Sequence, residues 1–266
     1  IALTCSAIGS NLAKLLRLNR DQKVLLLACG GGAGIAAVFA SPVAGTMFAC
    51  EVLLPTFSYS VLVPLLIASA TGSVVAAAIW SSSSFVQLAP VWSYDQLQYY
   101  LLLGLLAGVF ATYLIKCSLL LAKHLEKNSQ VWWRALAGGL VLYAAFLLFP
   151  GLKGEGYNHI AGLEQGSLTG VLAGLPIVSL EQQSWSLAAL LALLMLLKPA
   201  VSALFLESGG DGGVFGPSLF CGAFLGYLLY VILTLFGLQN LSPQVFICLG
   251  MAGVLAGVMH APLSGI

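Results

Sequence analysis

A glycine-rich break between two long apolar segments constrains this chain most strongly. The break reads Glu207-Ser208-Gly209-Gly210-Asp211-Gly212-Gly213-Val214-Phe215-Gly216-Pro217, and it separates the apolar runs 187–206 and 218–236. Each run is about as long as the ~20 residues that a helix needs to cross the hydrocarbon core of a bilayer. Glycine inside a regular element costs about 0.5–1 kcal/mol relative to alanine, so this stretch indicates a sharp turn or a close approach of the backbone.

The second run begins directly after the break, so the sequence predicts a helix N-terminus inside the membrane. Backbone N–H groups and the positive end of the helix dipole make such an N-terminus an anion site. Transporters place the ends of broken helices near the bilayer midplane, at the substrate. The candidate anion-binding residues are therefore Gly213, Val214, Phe215, Gly216 and Pro217.

Composition assigns the chain to the membrane. Hydrophobic residues make up 60% of it and charged residues 7%, whereas soluble domains carry about 25% charged residues. The prediction is an all-α polytopic membrane protein. A basic cluster interleaved with aromatic residues is missing from the sequence, which excludes nucleic acid as a partner. No metal site, cofactor or catalytic group is predicted; an intramembrane enzyme is kept as a hypothesis from another class, although the sequence shows no nucleophile arrangement for it.

The basic residues predict the topology. They concentrate in 14–23 and 116–134, which we expect to be cytoplasmic loops under the positive-inside rule. The serine-rich segment 81–84 then lies outside, between the predicted spans 61–80 and 99–115. Lys198, inside an apolar run, is predicted to extend its amine to the membrane edge.

Three acids lie in or next to apolar segments, where ionisable groups are candidates for function. Glu51 has two interpretations of equal weight: a proton carrier, or a structural acid that caps a neighbouring helix end. Glu207 and Asp211 are predicted to cap the helix that begins after the break.

Two parts of the chain resemble one another. The segment 31–37 (GGAGIAA) is similar to 250–256 (GMAGVLA), and after a slip of one residue 42–45 (PVAG) is similar to 262–265 (PLSG). The matching prolines favour a duplicated membrane half over chance similarity between helices rich in small residues. The first motif also mimics a dinucleotide-binding turn, but close helix packing explains it better, because a soluble βαβ setting is lacking.

These motifs together resemble the CLC family of voltage-gated chloride channels and chloride/proton antiporters. Residues 213–217 (GVFGP) resemble the GxFxP anion-binding motif of that family, and 30–51, 154–157 (GEGY) and 250–265 match further family segments in the same order. The resemblance implies a homodimer whose subunits each contain an anion pathway and two inverted halves of broken and re-entrant helices. It also implies that the N–H groups of Val214 and Phe215 hold the central anion.

The resemblance further implies a longer protein, of which residues 1–266 are a fragment of one transmembrane domain. Residues 1–149 would hold the end of the first half and connecting helices, and 150–266 most of the second half. The gating glutamate and the anion-binding serine of the family would precede Ile1, and its tyrosine would follow Ile266.

One departure from the family bears on mechanism. Many family antiporters have two adjacent glutamates where this chain has Glu51-Val52, and the second of them transfers protons on the internal side. Glu51 matches the first, structural glutamate of the pair and Val52 the second; both are kept as candidates for proton handling or gating. We expect transport of chloride or a similar small anion, channel-like or weakly proton-coupled, with a proton-coupled chloride or fluoride antiporter as the alternative. The expected location is the bacterial inner (plasma) membrane.

Overall fold

The structure, a computed structural model, describes residues 1–54, 59–79, 93–125, 131–164 and 184–263. All regular structure in these ranges is helical. The α-helices are α1 (Ala2–Leu15), α2 (Arg20–Phe39), α3 (Pro42–Phe48), α4 (Tyr59–Ile79), α5 (Leu97–Leu125), α6 (Val131–Leu148), α7 (Tyr157–Glu164), α8 (Trp185–Glu207), α9 (Phe215–Leu235) and α10 (Pro243–Met259). A π-helical turn, Ala49–Leu53, follows α3, and 3₁₀ turns occupy Tyr94–Gln96 and Pro150–Leu152.

The chain divides into two compact units. The first comprises 1–88 and 259–266, and within it α2 packs against α1, α3 and α4. Glycines make these contacts close: a side chain on Gly30 would collide with the backbone carbonyl of Cys5, and one on Gly72 would lie 2.7 Å from the carbonyl oxygen of Ala33. The predicted close packing through small residues is confirmed, and the glycine run lies within a continuous helix α2.

The second unit comprises 89–258 and is built around α9. Helix α9 contacts α5, α7 and α8, and α8 also contacts α5 and α6. Gly222 and Gly226 let α9 approach the backbone of α10 closely at Gly250 and Phe246. Of the most apolar 18-residue window of α9, 72% is buried inside the protein. This helix is therefore lined by protein along most of its length.

Among the described residues, five helical segments are long and apolar enough to span a membrane: Arg20–Phe39, Tyr59–Ile79, Tyr94–Leu125, Trp185–Glu207 and Phe215–Leu235. The length and apolar character of these helices identify an integral membrane protein, as the composition predicts. The prediction of a loop from residue 116 is wrong, because α5 continues to Leu125. Residues 109–125 contain neither glycine nor proline, so nothing in the sequence ends this helix earlier.

Candidate anion-binding site

Helix α8 ends in a glycine turn that redirects the chain toward α9. Gly209 has φ +99°, a conformation that glycine adopts without strain. Its N–H donates to the carbonyl of Leu206 at 3.1 Å, and the N–H of Gly210 donates to that of Phe205 at 3.0 Å. These two bonds form the Schellman motif, which satisfies carbonyls at a helix C-terminus. The glycines of the break thus stop α8 and free the chain to turn back.

Helix α9 starts at Phe215, after Val214. The first hydrogen bond of the helix runs from the N–H of Ser218 to the carbonyl of Val214 at 3.0 Å. The backbone N–H groups at 214–216 therefore lie ahead of the hydrogen-bond ladder, and Pro217 has none. The described first turn carries no acidic residue and no side-chain cap.

The two predicted caps of α9 lie elsewhere, so that prediction is wrong. Glu207 is the last residue of α8, and its carboxylate is 3.4 Å from the guanidinium of Arg134 on α6. The same guanidinium nitrogen also donates to the backbone carbonyl of Glu207 at 2.6 Å. A cation here complements the negative end of the α8 dipole. Asp211 lines a cavity beside the α9 start instead of bonding to it.

This cavity has a volume of about 340 Å³ and lies within the second unit. Its wall combines apolar side chains with backbone from the glycine break. The lining residues are Phe146, Leu152, Gly154, Glu155, Lys198, Val201, Ser202, Phe205, Leu206, Asp211, Gly212, Gly213 and Pro217. Two of the five predicted anion-binding residues, Gly213 and Pro217, thus line a partly open volume large enough for a small ion, whereas Val214, Phe215 and Gly216 are not among its lining residues.

The cation of this cavity is Lys198, which is only 1% exposed. Its ammonium donates to the carbonyls of Leu152 at 2.9 Å and Gly154 at 2.6 Å. It also lies 4.7 Å from the centre of the Phe220 ring, within cation–π range. The prediction that Lys198 extends to the membrane edge is wrong, because these carbonyls hold its amine inside the protein.

The segment that supplies these carbonyls continues into three titratable side chains, those of Glu155, Tyr157 and His159. The Glu155 side chain packs against Gly216, with its Cβ and Cγ 3.4 Å from where a Gly216 side chain would begin. Burial, and secondarily the Glu155 carboxylate, raises the pKa of Tyr157 above its usual range. Burial, and then the charge of Lys198, lowers the pKa of His159, which favours a neutral imidazole at pH 7. His159 therefore adds no positive charge beside Lys198 at neutral pH.

Glu51 and Val52 lie in the other unit, on the π-helical turn after α3. The Glu51 carboxylate accepts a hydrogen bond from the backbone N–H of Leu263 at 3.0 Å. Val52 is 36% exposed. The structure thus groups the predicted site residues into two sets, one in each unit, and gives Glu51 a backbone contact that the sequence did not identify.

Lys198 is the functional candidate that sequence reasoning misplaced. A lysine followed by proline in the middle of an apolar run was the available signal. Its partners, however, are 44 and 46 residues earlier in the chain. Only the folded chain brings them to the amine.

The sequence of the chain matches one protein family along nearly its whole length. The family model described as "Voltage gated chloride channel" matches residues 2–266. The chain belongs to this family. The predicted resemblance to CLC proteins is thereby confirmed.

Two curated relatives illustrate the range of the family. The chain is 29% identical over 272 residues to the H(+)/Cl(-) exchange transporter ClcA of Vibrio cholerae, covering 98% of this chain and 54% of the relative. It is 32% identical over 253 residues to the voltage-gated ClC-type chloride channel ClcB of Escherichia coli, covering 92% of this chain and 55% of the relative. The chain thus spans about half the length of the curated relatives it matches.

Solved structures confirm the fold. The crystal structure of a CLC-type fluoride/proton antiporter superposes with a TM-score of 0.77 at 24% identity, covering 99% of this chain and 62% of that protein. A slow cyanobacterial Cl-/H+ antiporter gives a TM-score of 0.71 at 20% identity, covering 99% and 60%. The expected all-α architecture of broken helices, of the CLC type, is therefore confirmed.

Proposed function

We propose that the protein moves chloride or a similar small anion across the bilayer. The anion binds at the start of α9, where the N–H groups of Val214 and Phe215 donate to it. The observation that carries this proposal is the buried ammonium of Lys198 in the cavity beside that helix end. Family membership supports it independently.

The electrostatics of the cavity favour an anion. Burying an ammonium costs several kcal/mol unless charges or hydrogen bonds compensate it. The two carbonyls that bind Lys198 are neutral, so they satisfy two of its three N–H donors without cancelling its charge. The positive end of the α9 dipole adds to the same field. The ammonium and the helix end therefore both attract a small anion to this side of the cavity.

Two carboxylates limit how tightly the anion is held. Glu155 and Asp211 line the same cavity and repel an anion there. Conduction needs binding that is favourable enough for entry and weak enough for release. The cation, the helix end and the two acids together provide such intermediate binding.

The transport mode that we propose is channel-like, or only weakly coupled to protons. Val52 supports it, because an apolar side chain follows Glu51 where a second acid would transfer protons. A proton-coupled antiporter of chloride or fluoride is the second candidate. It is favoured by a relative named as an H(+)/Cl(-) exchange transporter and by the fold shared with a fluoride/proton antiporter.

We further propose that the full-length protein works as a homodimer in a bacterial inner membrane. Within each subunit, residues 1–149 contribute to the first half of the transmembrane domain and its connecting helices, and residues 150–266 to the second half. Each subunit would contain its own anion pathway. Many side chains on the outer faces of the helices are large and apolar, such as Leu105 (66% exposed) and Leu140 (72% exposed). These faces suit lipid or a second subunit.

The experiment is flux from liposomes that contain the full-length protein. Vesicles loaded with chloride are made permeable to potassium with an ionophore, and external chloride and pH are recorded together. Chloride efflux without proton movement supports the channel-like mode, and efflux with a fixed ratio of protons supports the antiporter. No movement of chloride or of fluoride above that of empty vesicles refutes the proposed function.

A further inference from the structure

The two repeated segments of the chain end in the same backbone conformation. Helix α2 is followed by Ala40 with φ +51°, and α10 by His260 with φ +53°. Positive φ is uncommon in residues other than glycine. A proline follows two residues later in both cases, at Pro42 and Pro262. Both repeats thus place a residue of positive φ two positions before a proline.

In the first repeat this turn carries its own cap. Ser41 precedes Pro42, and its hydroxyl oxygen accepts a hydrogen bond from the N–H of Ala44 at 3.4 Å. A serine at this position satisfies one of the N–H groups that a helix start leaves outside its ladder. Proline then fits at the first helical position, since it has no N–H to lose.

In the second repeat the capping residue is replaced. Ala261 occupies the place of Ser41, and its methyl group cannot accept a hydrogen bond. The N–H of Leu263, directly after Pro262, donates instead to a carboxylate oxygen of Glu51 at 3.0 Å. Glu51 lies 212 residues away in the sequence but in the same unit of the structure. A distant acid thus supplies an acceptor at the start of the second turn, for the N–H one position earlier than the one that Ser41 caps in the first turn.

Buried neighbours hold the backbone of Glu51 in place beside the Leu263 N–H. It stands on the π-helical turn Ala49–Leu53, where Ala49 is fully buried and Cys50 is 8% exposed. Both belong to a core cluster with Ala28 and Leu65. Because a π-turn inserts an extra residue into a helix, it re-aims the side chains it carries. The buried neighbours then fix the direction of the carboxylate.

We propose that Glu51 is a positioning residue whose carboxylate caps the Pro262 turn in place of the serine of the first repeat. Its function is to accept the Leu263 N–H and so to hold the turn after α10 in place within the first unit. Any effect on anion movement is indirect and rests on the proposed function; the effect on stability does not.

Two substitutions separate this role from that of a proton carrier. Glu51→Gln keeps an oxygen that accepts a hydrogen bond but cannot exchange a proton at neutral pH. Glu51→Leu removes the acceptor while keeping similar bulk. A capping role predicts that Gln retains the thermal stability and the flux of the full-length protein. It predicts that Leu lowers the melting temperature by about 2 °C or more and slows the flux.

The decisive variant restores the local cap of the first repeat. In Glu51→Leu/Ala261→Ser, the new hydroxyl supplies an acceptor for an N–H group at the start of the same turn, so at least half of the lost melting temperature and flux should return. Ser41→Ala is the matched control, because it removes the corresponding cap of the first repeat and should cost a similar number of degrees. If Glu51→Leu is not recovered as folded protein, the double variant should be.

Opposite results would overturn the proposal. These are a double variant no better than Glu51→Leu, or a Glu51→Gln variant that keeps chloride flux and loses proton movement. The melting temperatures decide the capping role even if the wild-type protein transports no anion, so failure of this proposal and of the proposed function can be told apart.

Discussion

Replacing Lys198 by methionine tests whether the cavity beside α9 binds its anion through charge. Methionine has nearly the length of lysine and is apolar, so the change removes the ammonium while filling the same space. The cavity volume of about 340 Å³ sets the scale. A sphere of that volume is about 9 Å across, and we use this length as the scale of the distance from the ammonium to a bound anion.

The loss in affinity follows from Coulomb's law. At about 9 Å and an effective dielectric constant of about 20, two unit charges attract by about 1.8 kcal/mol. Removing that attraction weakens anion binding about 20-fold. Loss of the ammonium also leaves the carbonyls of Leu152 and Gly154 without their present hydrogen-bond donor. The melting temperature of the variant is therefore expected to fall as well.

The assay is isothermal titration calorimetry with chloride, on the full-length protein in detergent. Lys198→Arg retains the charge and should bind within about threefold of the wild type. Ser202→Ala changes a neutral side chain of the same cavity and should have an equally small effect. If Lys198→Met binds chloride as tightly as these controls while remaining folded, the buried ammonium does not contribute to an anion site there.

Three further predictions follow from other contacts. Replacing the Phe215 amide by an ester, through incorporation of the hydroxy acid, removes one N–H donor at the α9 start; hydrogen bonds to charged groups are worth about 1.5–3 kcal/mol, so chloride affinity should fall at least tenfold by calorimetry, and unchanged affinity would place the anion elsewhere. Val52→Glu should increase proton movement per chloride in the liposome assay, and an unchanged ratio would show that position 52 does not limit coupling. Arg134→Met should lower the melting temperature, because Glu207 and the last carbonyl of α8 lose a partner; a double variant with Glu207→Gln should lose little more, and additive losses would contradict a shared contact.

Much of the fold is a local property of the sequence and could be predicted. The lengths of the apolar runs 187–206 and 218–236 indicate α8 and α9, and Gly209-Gly210 supplies the turn that ends α8. The extension of α5 to Leu125 could also have been recognised, because the segment lacks helix breakers. The charges of its last turns, which suggested a loop, lie on a helix instead.

The side-chain contacts of the site depend on distant parts of the chain and could not be predicted. The carbonyls that bury Lys198 come from the segment after α6, and Arg134, which binds Glu207, lies 73 residues before it. Glu51 meets Leu263 across 212 residues. In each case a polar group in apolar surroundings needs a hydrogen-bonding partner, because burial without one costs free energy. The partner lies far away in the sequence, so the sequence does not identify it.

The repeat shows how sequence and structure complement one another. Similar glycine and proline spacing indicated a duplication, and the matching φ values of Ala40 and His260 support the equivalence of the two turns. The sequence alone gives no role to the difference between Ser41 and Ala261. It gained meaning only once the carboxylate of Glu51 was found at the second turn.

The central claim, that a small anion occupies the cavity at the start of α9, is tested most directly by locating the anion. Crystals of the full-length protein grown in bromide allow the ion to be found by its anomalous scattering. We predict a bromide peak against the backbone at Val214 and Phe215, on the side of the cavity lined by Lys198, and its loss in Lys198→Met. Bromide bound at other places in the protein, with none at this helix end, would contradict the account.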